Sequence, residues 1–106
     1  MEHGHIRHTV SFTLRHPAGS AAELEFLEAA RGLREIPGVE AFEVLAEVSP
    51  KNEFRYGISM EFADQAAYDG YNEHPAHVRF VAERWIPEVS DFLELDYALL
   101  GAQPSA

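Results

Sequence analysis

Proton-transfer side chains crowd into one stretch of the chain, Tyr71-Asn72-Glu73-His74-Pro75-Ala76-His77. A phenol and two imidazoles lie here around a proline suited to starting a helix. A neutral imidazole, with a reference pKa of about 6.5, can take a proton from a carbon next to a carbonyl. A tyrosine hydroxyl can donate a hydrogen bond to the oxyanion that then develops. A structural reading competes with this chemistry. His74-Pro75 can serve only to start a helix, Tyr71 can be a core aromatic with its hydroxyl at the edge, and His77 can cap nearby backbone.

The elements around that stretch follow from hydrophobic periodicity. Ile6 to Leu14 alternates, with Ile6, His8, Val10, Phe12 and Leu14 on one face and Arg7, Thr9, Ser11 and Thr13 on the other, which is a strand. His8 therefore lies on the apolar face, where a histidine is more often a satisfied core residue than a site residue. Ser20 with Glu23 forms a capping box, and a helix runs to about Glu35 with Leu24, Leu27, Ala30 and Leu33 as its buried stripe. Ile36-Pro37-Gly38-Val39 stops it. Strands are expected at Glu40 to Val48 and Phe54 to Phe62 around a polar turn. Asp64 is the expected N-cap of a helix reaching about Tyr71, and Pro75 opens another carrying Val78, Val81 and Trp85. Phe92 to Leu99 is the last strand. MEHGH, residues 1–5, and the tail 100–106 are expected to be flexible ends of a single domain spanning 6–99.

Strand, helix, strand, strand, helix pair, strand is the order of an α+β, ferredoxin-like split βαβ subunit: a four-stranded antiparallel sheet with helices on one face. The last strand leaves its orientation open. Either Leu93, Leu95, Tyr97 and Leu99 lie under the helices and Glu94 and Asp96 face out, or the reverse. Pattern alone favours the first, because burying two unpaired carboxylates is costly.

The 106 residues suffice for one core and not for two. Eighteen acidic against eight basic residues give a net charge of -10, which repels phosphate backbones and anionic lipid, so neither nucleic acid nor membrane is an expected partner. The absence of cysteine excludes disulfides and thiol catalysis, and no apolar run reaches membrane-spanning length. A soluble cytoplasmic protein is expected. His8, His74, His77, Glu94 and Asp96 are possible metal donors, but no dedicated spacing such as HExxH joins them, and no metal is expected. GxSxG and GxGxxG are also absent.

The string YNEHPAHVRFV, the strand opening IRHTVSFTL, the IPGV stop and the closing LDY together resemble the stress-responsive dimeric α/β-barrel (Dabb) family, over about residues 6–99. That resemblance implies a homodimer in which two ferredoxin-like subunits join their sheets into a barrel. It also implies the chemistry of the family's plant polyketide cyclase, an intramolecular aldol condensation without metal or organic cofactor. By the same match Tyr71 and His77 are the catalytic pair, His8 is a pocket histidine, and Asp96 lies on the cavity side, where it would hold His77 by its far nitrogen. Two positions depart from the pattern. Tyr56 replaces a second cavity histidine, and Glu94 replaces an apolar residue of the cyclase's tail pocket; both remain candidate substrate-binding groups. A carboxylate there disfavours a long alkyl chain, so the cyclase's substrate does not carry over. Two functions fit: a cofactor-independent cyclase, lyase or isomerase acting on a small carbonyl compound, and a stress-response or ligand-binding dimer without chemistry.

Overall fold

The computed structural model describes Glu2 and residues 4–101. Met1, His3 and residues 102–106, parts of the ends expected to be flexible, lie outside the described residues. Four strands, β1 (Ile6–Leu14), β2 (Glu40–Ala46), β3 (Tyr56–Phe62) and β4 (Val89–Tyr97), form one antiparallel sheet in the order β2-β3-β1-β4. Helix α1 (Ala21–Arg31), extended by a 3-10 turn at Gly32–Glu35, connects β1 to β2. Helices α2 (Gln65–Glu73) and α3 (Pro75–Phe80) connect β3 to β4, and α3 continues through a π-helical turn, Val81–Trp85, and a last turn, Ile86–Glu88. This is the ferredoxin-like arrangement, with the helices on one face. Among the described residues, no helix is long and apolar enough to cross a membrane.

The core lies between that face and the helices. Phe12, Phe26, Met60, Phe62 and Tyr71 are almost wholly inaccessible, and burying each such side chain contributes about 1.5–3 kcal/mol. Helix α1 begins as the capping box anticipates: Glu23 N–H donates to Ser20 Oγ at 3.2 Å. The Glu23 carboxylate reaches back to accept from Gly19 N–H at 2.7 Å. That turns the helix so that Glu23 and Phe26 are buried, while Leu24, expected inside, is exposed. Gly38, at φ +93, makes the tight turn behind α1. A β-bulge at the start of β2 shifts its register, with Ala41 in the left-handed region.

Strand β4 adopts the second of its two possible orientations. Phe92 meets Trp85 edge-on at 5.6 Å, and Glu94 and Asp96 follow it on the helix side. Leu93, Leu95 and Tyr97 face outward and are exposed. The pattern argument for buried leucines fails because neither carboxylate is both buried and unpaired: the β1–β4 ladder sets Asp96 directly across from His8, and the Glu94 side chain stays half exposed.

Candidate functional site

The break between α2 and α3 builds the first half of the site. In a continuous helix, Tyr71 C=O would bond to the N–H of residue 75, but Pro75 has none. Tyr71 C=O accepts from His74 N–H instead, at 3.2 Å. His74 caps α3, its Nδ1 accepting from Ala76 N–H at 3.0 Å. Asn72 C=O, freed from its helical partner, accepts from His77 Nδ1–H at 3.1 Å. That bond fixes the tautomer and, among the described residues, leaves the Nε2 lone pair unbound. Burial holds the His77 pKa below the ordinary imidazole value, the nearby His8 adds to this, and the Asn72 bond opposes it.

The Tyr71 ring packs 4.4 Å from the His77 ring and 6.1 Å from that of His8, so it sits between two imidazoles. It also rests on Phe62 at 5.2 Å. Among the described residues its hydroxyl makes no hydrogen bond, and burial holds its pKa well above the ordinary phenol value. The group stays protonated and is available as a donor.

The second half comes from the β1–β4 ladder. His8 is only 4% exposed, and its Nδ1–H donates to Asp96 Oδ1 at 2.6 Å. Tyr68 donates its hydroxyl to Asp96 Oδ2 at 2.7 Å. Burial first, and this carboxylate second, hold the Tyr68 pKa well above normal. The other His8 nitrogen, Nε2, lies 3.6 Å from Glu94 Oε2.

Both halves contribute to one cavity of about 300 Å³ between the sheet and the helices, at the small end of the roughly 300–1,000 Å³ range of ligand clefts. His8, Tyr71, His77 and Glu94 supply its polar lining; Val10, Ile58, Met60, Phe80, Trp85 and Phe92 are among its apolar walls. The π-helical turn widens the helix where Val81, Trp85 and Ile86 reach the wall, a form of local distortion frequent at functional sites.

The expected Asp96–His77 contact is absent: Asp96 is bound to His8 and Tyr68, because its register position faces β1 and not α3. Asp96 bears on the cavity only through His8. Tyr56, the other departure from expectation, opens β3 beside Phe12, 5.9 Å between rings, and does not line the cavity. Burial and then Glu23 raise its pKa. Tyr68 and the Asn72 carbonyl were not foreseen. Tyr68 was findable, since it lies three residues before Tyr71 and so shares its helix face.

The geometry agrees with known structures. A Dabb family protein with a ferredoxin-like fold from Mesorhizobium loti is 56% identical, with a TM-score of 0.90 over 92% of this chain and 99% of that one. A hydroxynitrile lyase from Passiflora edulis shares the fold at 16% identity and a TM-score of 0.80, over 94% of this chain and 97% of that one. A dimeric ferredoxin-like protein of unknown function from Thermobifida fusca does so at 18% identity and a TM-score of 0.76, over 92% and 93%. No curated protein sequence matches the chain. The model of the stress responsive A/B barrel domain matches residues 6–99, which hold the whole sheet, every helix and all the cavity residues, and the chain therefore belongs to the Dabb family.

Proposed function

We propose that this domain binds a small carbonyl compound in the cavity and moves a proton beside its carbonyl group, using side chains alone. One observation carries the reading: a neutral imidazole with its Nδ1–H tied down, His77, packs against a protonated tyrosine, Tyr71, at the wall of an apolar cavity. His77 Nε2 takes a proton from the carbon next to the carbonyl. The C–H electron pair becomes the enolate, and Tyr71 O–H donates a hydrogen bond to its oxygen. The enolate carbon then attacks a second carbonyl to close a ring, and the new alkoxide takes the proton back from His77; alternatively, a conjugated enolate takes that proton at another carbon. Run in the other sense, His77 takes a hydroxyl proton and a carbon–carbon bond breaks. The Passiflora edulis fold-mate, a hydroxynitrile lyase, supports chemistry of that kind on this fold.

Two subunits complete the proposed assembly. The outward face of the sheet exposes Leu93, Leu95 and Tyr97, an apolar patch suited to a second copy. The fold-mate from Thermobifida fusca is dimeric, which supports a dimer of this fold.

A binding dimer without chemistry is the second reading, favoured by how deeply Tyr71, 2% exposed, is built into the core. Deuterium exchange at the acetyl methyl group of 4'-methylacetophenone in D2O, followed by NMR, separates the two. Wild-type protein should accelerate exchange and the His77→Ala variant should not. Saturable binding with no acceleration would leave the binding dimer.

A further inference from the structure

His8 and Glu94 take no part in the proton transfer proposed above, yet both border the cavity. Asp96 accepts from His8 Nδ1–H, and Tyr68 braces Asp96 from the other side. In its neutral form the imidazole is thus held with Nε2 as an acceptor. Glu94 Oε2 lies 3.6 Å from that Nε2, beyond hydrogen-bond length. A carboxylate only accepts. With His8 neutral the pair is two acceptors side by side in a cavity whose other walls are mostly apolar, and a donor hydrogen from a ligand satisfies it.

We infer that His8 and Glu94 form a second polar subsite, which selects a ligand bearing a neutral hydrogen-bond donor, a hydroxyl or an N–H, away from its carbonyl and rejects one bearing a carboxylate there. This rests on the reading that the cavity takes a small carbonyl compound, and it names the class: compact hydroxy- or amino-substituted ketones and aldehydes. Tyr71 donates at one end of such a ligand and Glu94 with His8 accepts at the other. Apolar side chains hold the body between them, and the rings of Phe80, Trp85 and Phe92 suit a planar one. Glu94 is the discriminating member, because its side chain is 52% exposed and free to meet the ligand, whereas His8 is locked in place.

Three matched acetophenones test the subsite: 4'-(hydroxymethyl)acetophenone, 4'-methylacetophenone and 4-acetylbenzoate. They differ only in whether the remote group donates, is apolar or is an anion. Calorimetric binding to wild-type protein should favour the hydroxymethyl compound over the methyl one by about tenfold, the worth of one hydrogen bond to a charged acceptor. The benzoate should bind weakest. The Glu94→Gln variant, changed at a half-exposed position, should lose part of the hydroxyl preference, because its neutral amide oxygen is a weaker acceptor than the carboxylate, and should bind the benzoate better than wild type does. Equal binding of all three by wild type, tightest binding of the benzoate, or an unchanged preference in Glu94→Gln would overturn the subsite. None of those outcomes touches the proton-transfer reading, which stands or falls on methyl exchange at His77. Sorted binding without exchange would defeat that reading and keep the subsite, and no binding of any probe would defeat both.

Discussion

His8 and Asp96, 88 residues apart in the chain, face each other across the β1–β4 ladder and share a 2.6 Å hydrogen bond. The Tyr68 hydroxyl closes on the same carboxylate. One ladder position thus gives a buried histidine the partner it requires, and it gives the acidic face of β4 its reason to turn inward. It also divides the work of the cavity's two imidazoles. His77 answers to a backbone carbonyl, and His8 answers to a carboxylate.

Removing that carboxylate should destabilise the fold. Asp96→Ala takes the shared acceptor from the His8 Nδ1–H and the Tyr68 hydroxyl, leaving them only each other at 3.2 Å, and a buried donor left unpaired costs about 1–3 kcal/mol. Asp96→Asn keeps one acceptor oxygen for one of these two bonds and should cost less. Urea denaturation should order stability as wild type, Asp96→Asn, Asp96→Ala. Equal midpoints for all three would mean that the network does not hold β4 to the core.

Tyr71→Phe should behave in the opposite way. The hydroxyl makes no hydrogen bond among the described residues, while the ring packs on Phe62 and His77. Stability should therefore change by less than about 1 kcal/mol, the usual scale of a single net hydrogen bond. Methyl exchange should fall by about 10²–10³, the usual consequence of losing an oxyanion donor. A variant that unfolds easily yet exchanges normally would reverse both assignments.

The pH dependence follows from His77. Burial lowers its pKa below the ordinary 6.5, so the neutral, basic form dominates at neutral pH. Exchange should rise along an acid limb whose midpoint lies below 6.5 and reach its plateau before pH 7.5, limits set by the reference value of about 6.5. For stability, the folded pKa lies below the unfolded one, so folding favours the neutral ring. That contribution is complete above the unfolded pKa and is lost as pH falls through the folded one. NMR titration of the His77 ring protons checks the midpoint directly, and a value above 6.5 would contradict the burial argument.

Much of this was legible in the sequence, for reasons that differ by element. Strand β1 was readable end to end because Ile6 to Leu14 alternates strictly and one face is buried. Strand β4 was not, because apolar side chains occur on both of its faces and the deciding partner, His8, is far away in sequence. Helix α1 was placed correctly but turned wrongly. Hydrophobicity chose Leu24 for the core, whereas the cap geometry at Gly19 and Ser20 draws Glu23 inward. The pairing of Asp96 with His77 was expected from the family match. An antiparallel β1–β4 register, counted residue by residue, points to His8 instead. Tyr68 passed as ordinary helix packing because its hydroxyl partner lies on another element.

Leu95 tests the assembly and the site together. It sits on the outward face of β4, next in sequence to Asp96 on the inward face, and β4 is an edge strand paired only with β1. An edge strand whose apolar side is bare relies on a neighbour to stay ordered. Covering it in a dimer of ordinary size buries about 800 Å² on each partner, and a charge at the centre of such a patch opposes association. Leu95→Asp should therefore sediment with the mass of one chain where wild type sediments with the mass of two. With its partner gone, β4 should hold to β1 less firmly, so the urea midpoint should drop toward that of Asp96→Ala and ligand affinity should fall as His8 loses its fixed orientation. Wild type sedimenting as a single chain would refute the dimer. Dissociation of Leu95→Asp without loss of ligand affinity would show that His8 and Asp96 need no second subunit to stay in register.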